Sequence, residues 1–126
     1  MPSKVELSFA TQADVEEFYG APSFYSCRAV IARIDGEPVG LAGVYRVDKN
    51  MVVFTDIREG MRSRKKDILR ASKMVESIMD RYPYVLAYAD TEEETADSFG
   101  AHFNFMKNGL TLDGRPVMVR IRQWNK

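Results

Sequence analysis

The stretch from Met51 to Arg81 constrains this chain more than any other. Met51-Val52-Val53-Phe54-Thr55-Asp56-Ile57 is a short apolar run of β-branched and aromatic residues, which predicts a buried strand. Arg58-Glu59-Gly60 predicts a turn. Arg62-Ser63-Arg64-Lys65-Lys66-Asp67 then leads into a helix whose Ile68, Ala71, Val75, Ile78 and Met79 recur at helical spacing and share one face. That face has to pack on a sheet. A strand that feeds a helix through a basic turn aims the helix's first free N–H groups past the strand end, where an anion such as phosphate is favoured. Cations at a helix N-terminus oppose the macrodipole by about 0.3–1 kcal/mol each when exposed. Arg62, Arg64, Lys65 and Lys66 are therefore either a solvated basic face or the lining of an anion site.

The 126 residues suit one domain spanning 1–126, long enough to bury a real core. Charge is balanced at 18 basic and 18 acidic residues, which gives no global reason to expect nucleic acid or an anionic membrane surface as a partner. The balance hides an asymmetry. Arg62 to Lys73 holds six basic residues and one acid, whereas Asp90 to Asp97 holds five acids and no base. Cys27 is the only cysteine and His102 the only histidine, so neither an internal disulfide nor a cysteine or histidine metal site is expected. No apolar run reaches the roughly 20 residues of a membrane span, and Met1-Pro2-Ser3-Lys4 lacks a signal-peptide core. The expectation is a cytoplasmic protein.

Val5, Leu7 and Phe9 alternate with Glu6 and Ser8, as in a half-buried first strand. Thr11 with Asp14 forms a capping box for a short helix that turns Val15 and Phe18 inward and stops at Gly20-Ala21-Pro22. Ser23 to Ser26 has no assignment, and its Phe24 and Tyr25 are either pocket-lining or packed. Cys27 to Ile34 and Glu37 to Val47 flank Asp35-Gly36, a strong hairpin signal. Gly40 and Gly43 in the second arm mark a bulge or a close backbone approach, and Gly40 has the alternative of merely relieving crowding. After the long helix, Tyr84 to Ala89 predicts a strand parallel to the Met51–Ile57 strand, because a helix separates the two. Thr91-Glu92-Glu93-Glu94 opens another helix, with Ala96 and Phe99 inward and Gly100 past its end. His102 to Leu110 and Pro116 to Trp124 close the chain as a hairpin across Leu112-Asp113-Gly114-Arg115.

That element order, with the loop from Ile57 to Asp67, resembles the GNAT superfamily of acyl-CoA-dependent N-acyltransferases over nearly the whole chain. Ile34-Asp35-Gly36-Glu37-Pro38-Val39-Gly40 is similar to the family's second and third strands, and Phe99-Gly100-Ala101 to the Leu-Gly-Phe after its last helix. The resemblance implies an α/β (α+β) fold: a mixed, mostly antiparallel twisted sheet of about six to seven strands with a central parallel pair and three helices. The family's pyrophosphate loop, Arg/Gln-x-x-Gly-x-Gly/Ala, falls on Arg62-Ser63-Arg64-Lys65-Lys66-Asp67. Those residues and Ile57 are thereby implied to bind acetyl-CoA or another acyl-CoA. Lys65 and Asp67 replace the two small residues. A carboxylate about 4 Å from a phosphate costs on the order of 4 kcal/mol at an effective dielectric near 20, unless Asp67 pairs instead with Arg64 or Arg70.

The resemblance further implies a general base on or after the fourth strand, which Asp56 or Glu59 supplies. The family's proton-donating Tyr falls on Ala96, or on Gly100 if the helix is slid by four residues. Neither can donate a proton. Tyr88, at the end of the preceding strand, is the substitute. The basic helix start and the Asp-Gly closing hairpin are also similar to GNAT-like proteins of tailed phages, which implies virion association as the alternative to the cytoplasm. Two functions follow as expectations. One is acyl transfer to an amine, with Asp90 to Asp97 favouring a cationic acceptor. The other is a non-catalytic GNAT-fold module for assembly, in which Arg62 to Lys66 meet an acidic protein or nucleic-acid phosphate. Trp124 and Phe105, taken as exposed, offer a homodimer edge or are scattered surface aromatics needing no partner.

Overall fold

The computed structural model describes residues 4–22, 27–88 and 105–122. Within them β1 (Val5–Phe9), α1 (Gln12–Tyr19), β2 (Cys27–Ile34), β3 (Glu37–Val47), β4 (Asn50–Ile57), α2 (Glu59–Arg62), α3 (Lys65–Met79), β5 (Tyr84–Tyr88), β6 (Met106–Leu112) and β7 (Arg115–Ile121) follow in order. The seven strands form one sheet in the order β1-β2-β3-β4-β5-β7-β6. Every neighbouring pair is antiparallel except β4 and β5. This is the mixed sheet with a central parallel pair that the sequence predicts.

The turns obey local chemistry. Asp35-Gly36 and Asp113-Gly114 both take positive φ, 52° and 83° in the first and 52° and 76° in the second, the geometry that matches the strand twist of a hairpin. Thr11 and Asp14 close the capping box on α1, and Gly20 ends it at φ 69°. Arg33 on β2 reaches Asp14 at 2.8 Å and Glu17 at 2.7 Å, which docks α1 against the sheet.

The helices cover opposite faces. Val75, Ile78 and Met79 of α3 pack with Val30, Val44, Val53, Val85 and Ala87, while Val15 and Phe18 of α1 pack with Ala29, Ile31, Leu41 and Phe54. Along β4 the odd residues therefore face α3 and the even residues face α1. On the α3 face of β7, Arg120 is only 8% exposed and bonds Asp80 at the end of α3 at 2.8 Å.

Three expectations change. Arg58-Glu59-Gly60 is not a simple turn, because Met61 is an apolar anchor, 2% exposed beside Val5 and Ala32, that draws the segment into the short helix α2. Phe9 is 59% exposed, since β1 is an edge strand whose buried contact is at Val5. Phe105 is buried in the α3-side core with Val85, Ala87 and Met118, so it offers no dimer edge. The segment Ser23 to Ser26, the helix predicted from Thr91, the acids from Asp90 to Asp97, Ala96, Phe99, Gly100, His102 and Trp124 lie outside the described residues. Among the described residues, no helix is long and apolar enough to cross a membrane, and no cluster of His, Cys, Asp and Glu has the makings of a metal site.

Of the two strand glycines, Gly43 is the close approach. A Cβ there would stand 2.0 Å from the Arg28 carbonyl oxygen and 2.5 Å from Ala29 Cα, both backbone atoms that cannot swing away. At Gly40, beside the bulge between Ala32 and Arg33, the nearest atom would be 3.6 Å away. Gly43→Ala should therefore destabilise by about 3 kcal/mol, the upper range for overpacking, and Gly40→Ala by less than about 1 kcal/mol. Urea unfolding of both variants checks the contrast.

Candidate functional site

β4 and β5 pair in register at one position, Val52 opposite Leu86. At that end they are pinned further by the Tyr84 hydroxyl, which donates to Asn50 Oδ1 at 2.7 Å. Past Val52 they part, although β4 continues to Ile57 and β5 to Tyr88. β3 holds the other edge of β4 along its whole length, from Asn50 to Ile57. The Arg58 N–H donates to the Val39 carbonyl at 2.8 Å, which makes Gly40 and Ile57 a non-hydrogen-bonded pair. The N–H groups of Ile57 and, two residues earlier, Thr55 consequently point away from β3 and into the gap.

A cleft of about 780 Å³ occupies this gap. Its lining comes from both faces of the sheet. Ala42, Val53, Thr55, Ile57, Met61 and Ile68 lie on the α3 side, and Leu41, Tyr45, Phe54, Asp56, Tyr88 and Arg115 on the α1 side. The opening therefore passes through the sheet. The Thr55 hydroxyl is buried and has no hydrogen-bond partner among the described residues, which leaves a polar atom beside the cleft that a polar occupant can satisfy.

The basic loop lies between two lining residues, Arg62 and Ile68. Arg64 is the N-cap of α3 and supplies no side-chain cap; its N–H is spent on Met61 O at 3.0 Å, and the ladder begins with Ile68 N–H to Arg64 O at 3.0 Å. The amides of Lys65, Lys66 and Asp67 thus stand outside the helical ladder, at the positive end of a 15-residue helix. Asp67 does not cap them. Its Oδ1 bonds Arg70 Nη1 at 2.8 Å, with the carboxylate side chain 23% exposed. Ser63, Lys65 and Lys66 are exposed, and Arg62 leans on Glu59 at 3.8 Å.

The three expected proton-transfer residues separate. Asp56 lines the cleft and accepts a hydrogen bond from the Tyr19 hydroxyl. Tyr88 lines it too, with the Arg115 guanidinium 3.8 Å from its ring centroid. Glu59 sits on α2 with its side chain 97% exposed and is not part of the lining. Tyr19, Thr55 and Arg115 were not singled out in the sequence. For Tyr19 no local signal exists, because its partner is 37 residues away.

Arg58 holds the end of α1 in place. Its guanidinium donates to Phe18 O and, at 2.9 Å, to Pro38 O, and lies 4.3 Å from the Phe18 ring centroid. A helix-terminal carbonyl thereby gains a cationic donor. Partial desolvation, followed by the hydrogen bond to and the negative charge of Asp56, pushes the Tyr19 phenol well above its ordinary range. The folded state keeps this proton where the unfolded chain loses it. Its stabilising contribution is complete below about pH 10 and declines as pH rises toward the folded value. The stability advantage of wild type over Tyr19→Phe should accordingly be flat from pH 7 to about 9 and shrink above about 10, as thermal midpoints across that range can show.

No protein-family model matches the chain, and no curated protein is similar to it in sequence. Solved structures do match in shape. The ribosomal-protein-S18-alanine N-acetyltransferase of Escherichia coli superposes with a TM-score of 0.62 at 11% identity, covering 98% of this chain and 97% of that one. The PaiA N-acetyltransferase of Thermoplasma acidophilum, solved with coenzyme A, gives 0.58 at 12% identity, covering 94% and 99%. An acetyltransferase of the GNAT family from Streptococcus pneumoniae gives 0.59 at 9% identity, covering 95% and 100%. At such identities the likeness shows the fold, and the fold is GNAT.

Proposed function

We propose that the protein is an acyl-CoA-dependent N-acyltransferase. The observation that carries this reading is the single-point pairing of β4 with β5, which opens a cleft through the sheet beside an uncapped, basic helix start. The coenzyme A complex of a same-fold protein supports it.

The residues present fit such a ligand. The free amides of Lys65, Lys66 and Asp67, with the side chains of Arg62 and Lys65, would hold the diphosphate. The Asp67 carboxylate, which opposes an anion, is offset by its bond to Arg70. Acyl-CoA supplies an acyl group activated as a thioester. The N–H of Ile57 faces the gap and can donate to a carbonyl lying there. An amine arriving as ammonium must lose a proton before its nitrogen can attack, and Asp56, directly or through water, is the carboxylate placed to take it. Tyr88, in the opposite wall, carries a phenol that can return a proton to a departing thiolate.

Lys65 and Asp67 in the loop favour the second reading, a non-catalytic GNAT-fold module whose Arg62 to Lys66 meet some other anion. Calorimetry with acetyl-CoA at low salt decides between the two. Under the enzyme reading, Arg62→Ala and Lys65→Ala each weaken binding by about three- to tenfold, as expected for one charge-assisted contact, and Asp67→Gly strengthens it. Absence of heat at millimolar ligand would eliminate the enzyme. Asp56→Asn should leave acetyl-CoA affinity unchanged while turnover falls by roughly 10²–10⁴, the usual contribution of a general base.

A further inference from the structure

The cleft does not end at the gap between β4 and β5. Its lining runs sideways beneath α3, across β4 and β3, to Val30 and Ala32 of β2. Two cross-strand rows form the floor of this trough, one of Ala32, Gly40 and Ile57 and one of Val30, Ala42 and Thr55, both on the α3 face. The roof is the first half of α3. In its second half Val75, Ile78 and Met79 are buried against the sheet, whereas Ile68, Ala71 and Ser72 are only half-buried. Ala42 is half-buried too, although it stands on an inner strand under a helix. The helix thus lifts off the sheet where β3 contributes only a glycine and an alanine. Gly40 shows the same room, since the nearest atom to a Cβ there would be 3.6 Å away. Val5, packed with Ala32 and Met61, closes the far end.

We propose that this trough receives the acyl chain of the donor, and that the chain is of medium length, about eight carbons, rather than acetyl. From the gap to β2 the floor spans two strand spacings, about 10 Å, the reach of about eight extended carbon atoms. An acetyl group places a single methyl beyond its carbonyl and leaves the floor over β3 and β2 uncovered. The route is lined by apolar side chains, so each methylene laid along it is withdrawn from water. The Thr55 hydroxyl, buried without a partner among the described residues, stands on β4 where the trough leaves the gap. A carbonyl at that threshold with a hydrocarbon tail beyond it suits both features. Ser72 offers no second polar stop, because its hydroxyl donates to Ile68 O at 2.8 Å. That the chain arrives as a CoA thioester rests on the acyl-transfer reading; that the trough takes a hydrocarbon chain does not.

The test titrates the full chain by calorimetry with acetyl-CoA, octanoyl-CoA and dodecanoyl-CoA. Octanoyl-CoA should bind at least about tenfold more tightly than acetyl-CoA, and dodecanoyl-CoA no more tightly than octanoyl-CoA, because Val5 closes the trough. Ala71→Leu and Ala42→Leu fill the trough from roof and floor, and should cut the octanoyl advantage below about threefold while leaving acetyl-CoA affinity within about twofold. Thr55→Val should weaken octanoyl-CoA by about three- to tenfold without lowering the thermal midpoint. Should Ala42→Leu fail to fold by circular dichroism, Ala71→Leu and Gly40→Ala carry the comparison. Equal or weaker binding of octanoyl-CoA than of acetyl-CoA overturns the proposal, as does an octanoyl advantage kept in every filled variant or a gain that continues to dodecanoyl-CoA. If none of the three thioesters binds, octanoate titrated against acetate decides. Octanoate binding that Ala71→Leu removes sinks acyl transfer and keeps the trough, and absence of octanoate binding sinks both.

Discussion

The arrangement depends on a parallel strand pair that is held at one end and released at the other. β4 is an ordinary member of the antiparallel half of the sheet, bonded to β3 from Asn50 to Ile57, and β5 is equally committed to β7 from Tyr84 to Tyr88. Between them the join is one register position and one side-chain bond, Tyr84 to Asn50. Two well-paired half-sheets therefore diverge from a short hinge line. The divergence sets the direction of the Thr55 and Ile57 amides, exposes both sheet faces to one cleft, and brings the start of α3 to its edge.

Charge is then distributed by topology. The connection leaving β4 passes through α2 and α3, so its cations arrive on the α3 face. The even residues of β4 point the other way and carry Asp56 to the face covered by α1. The cations of the helix start and the Asp56 carboxylate are thus separated by the thickness of a sheet, with Arg115 sharing the α1 face with Asp56. Anchoring of α1 by Arg33 and Arg58 extends that logic, because a carboxylate on an exposed strand end is useful only if something fixes its orientation.

Most of the fold was legible because its signals are local. Asp35-Gly36 and Asp113-Gly114 specify their hairpins through positive φ, Thr11 with Asp14 specifies a helix start, and Ile68 to Met79 repeat at helical spacing. The basic loop and Asp56 were visible for the same reason: residue type and place relative to a strand end were enough to select them. What stayed hidden depends on contacts distant in sequence. Met61 forms a helix because a pocket made by Val5 and Ala32 receives it, and nothing in Arg58-Glu59-Gly60 announces that. Tyr19 has its partner 37 residues away, and its role appears only once α1 lies across the end of β4. Phe105, taken for a surface aromatic, fills core beneath α3.

The gap itself runs against stability. Continuing the β4–β5 ladder would add hydrogen bonds worth about 1 kcal/mol each net, and would cover the apolar walls of the cleft. The Thr55 hydroxyl, buried without a partner among the described residues, adds a cost of about 1–3 kcal/mol that a Val at that position would remove. Local propensity does not enforce the opening, since Phe54, Thr55 and Ile57 on one strand, and Ala87 and Tyr88 on the other, are all residues a parallel sheet accepts. A sequence that could zip these strands together, yet holds them apart and leaves polar atoms facing the space between, is shaped for an occupant that supplies the missing hydrogen-bond partners and apolar contacts. Under the proposed acyl-transfer reading, a thioester on an arm that carries amide groups, threaded through the sheet, would meet both requirements at once.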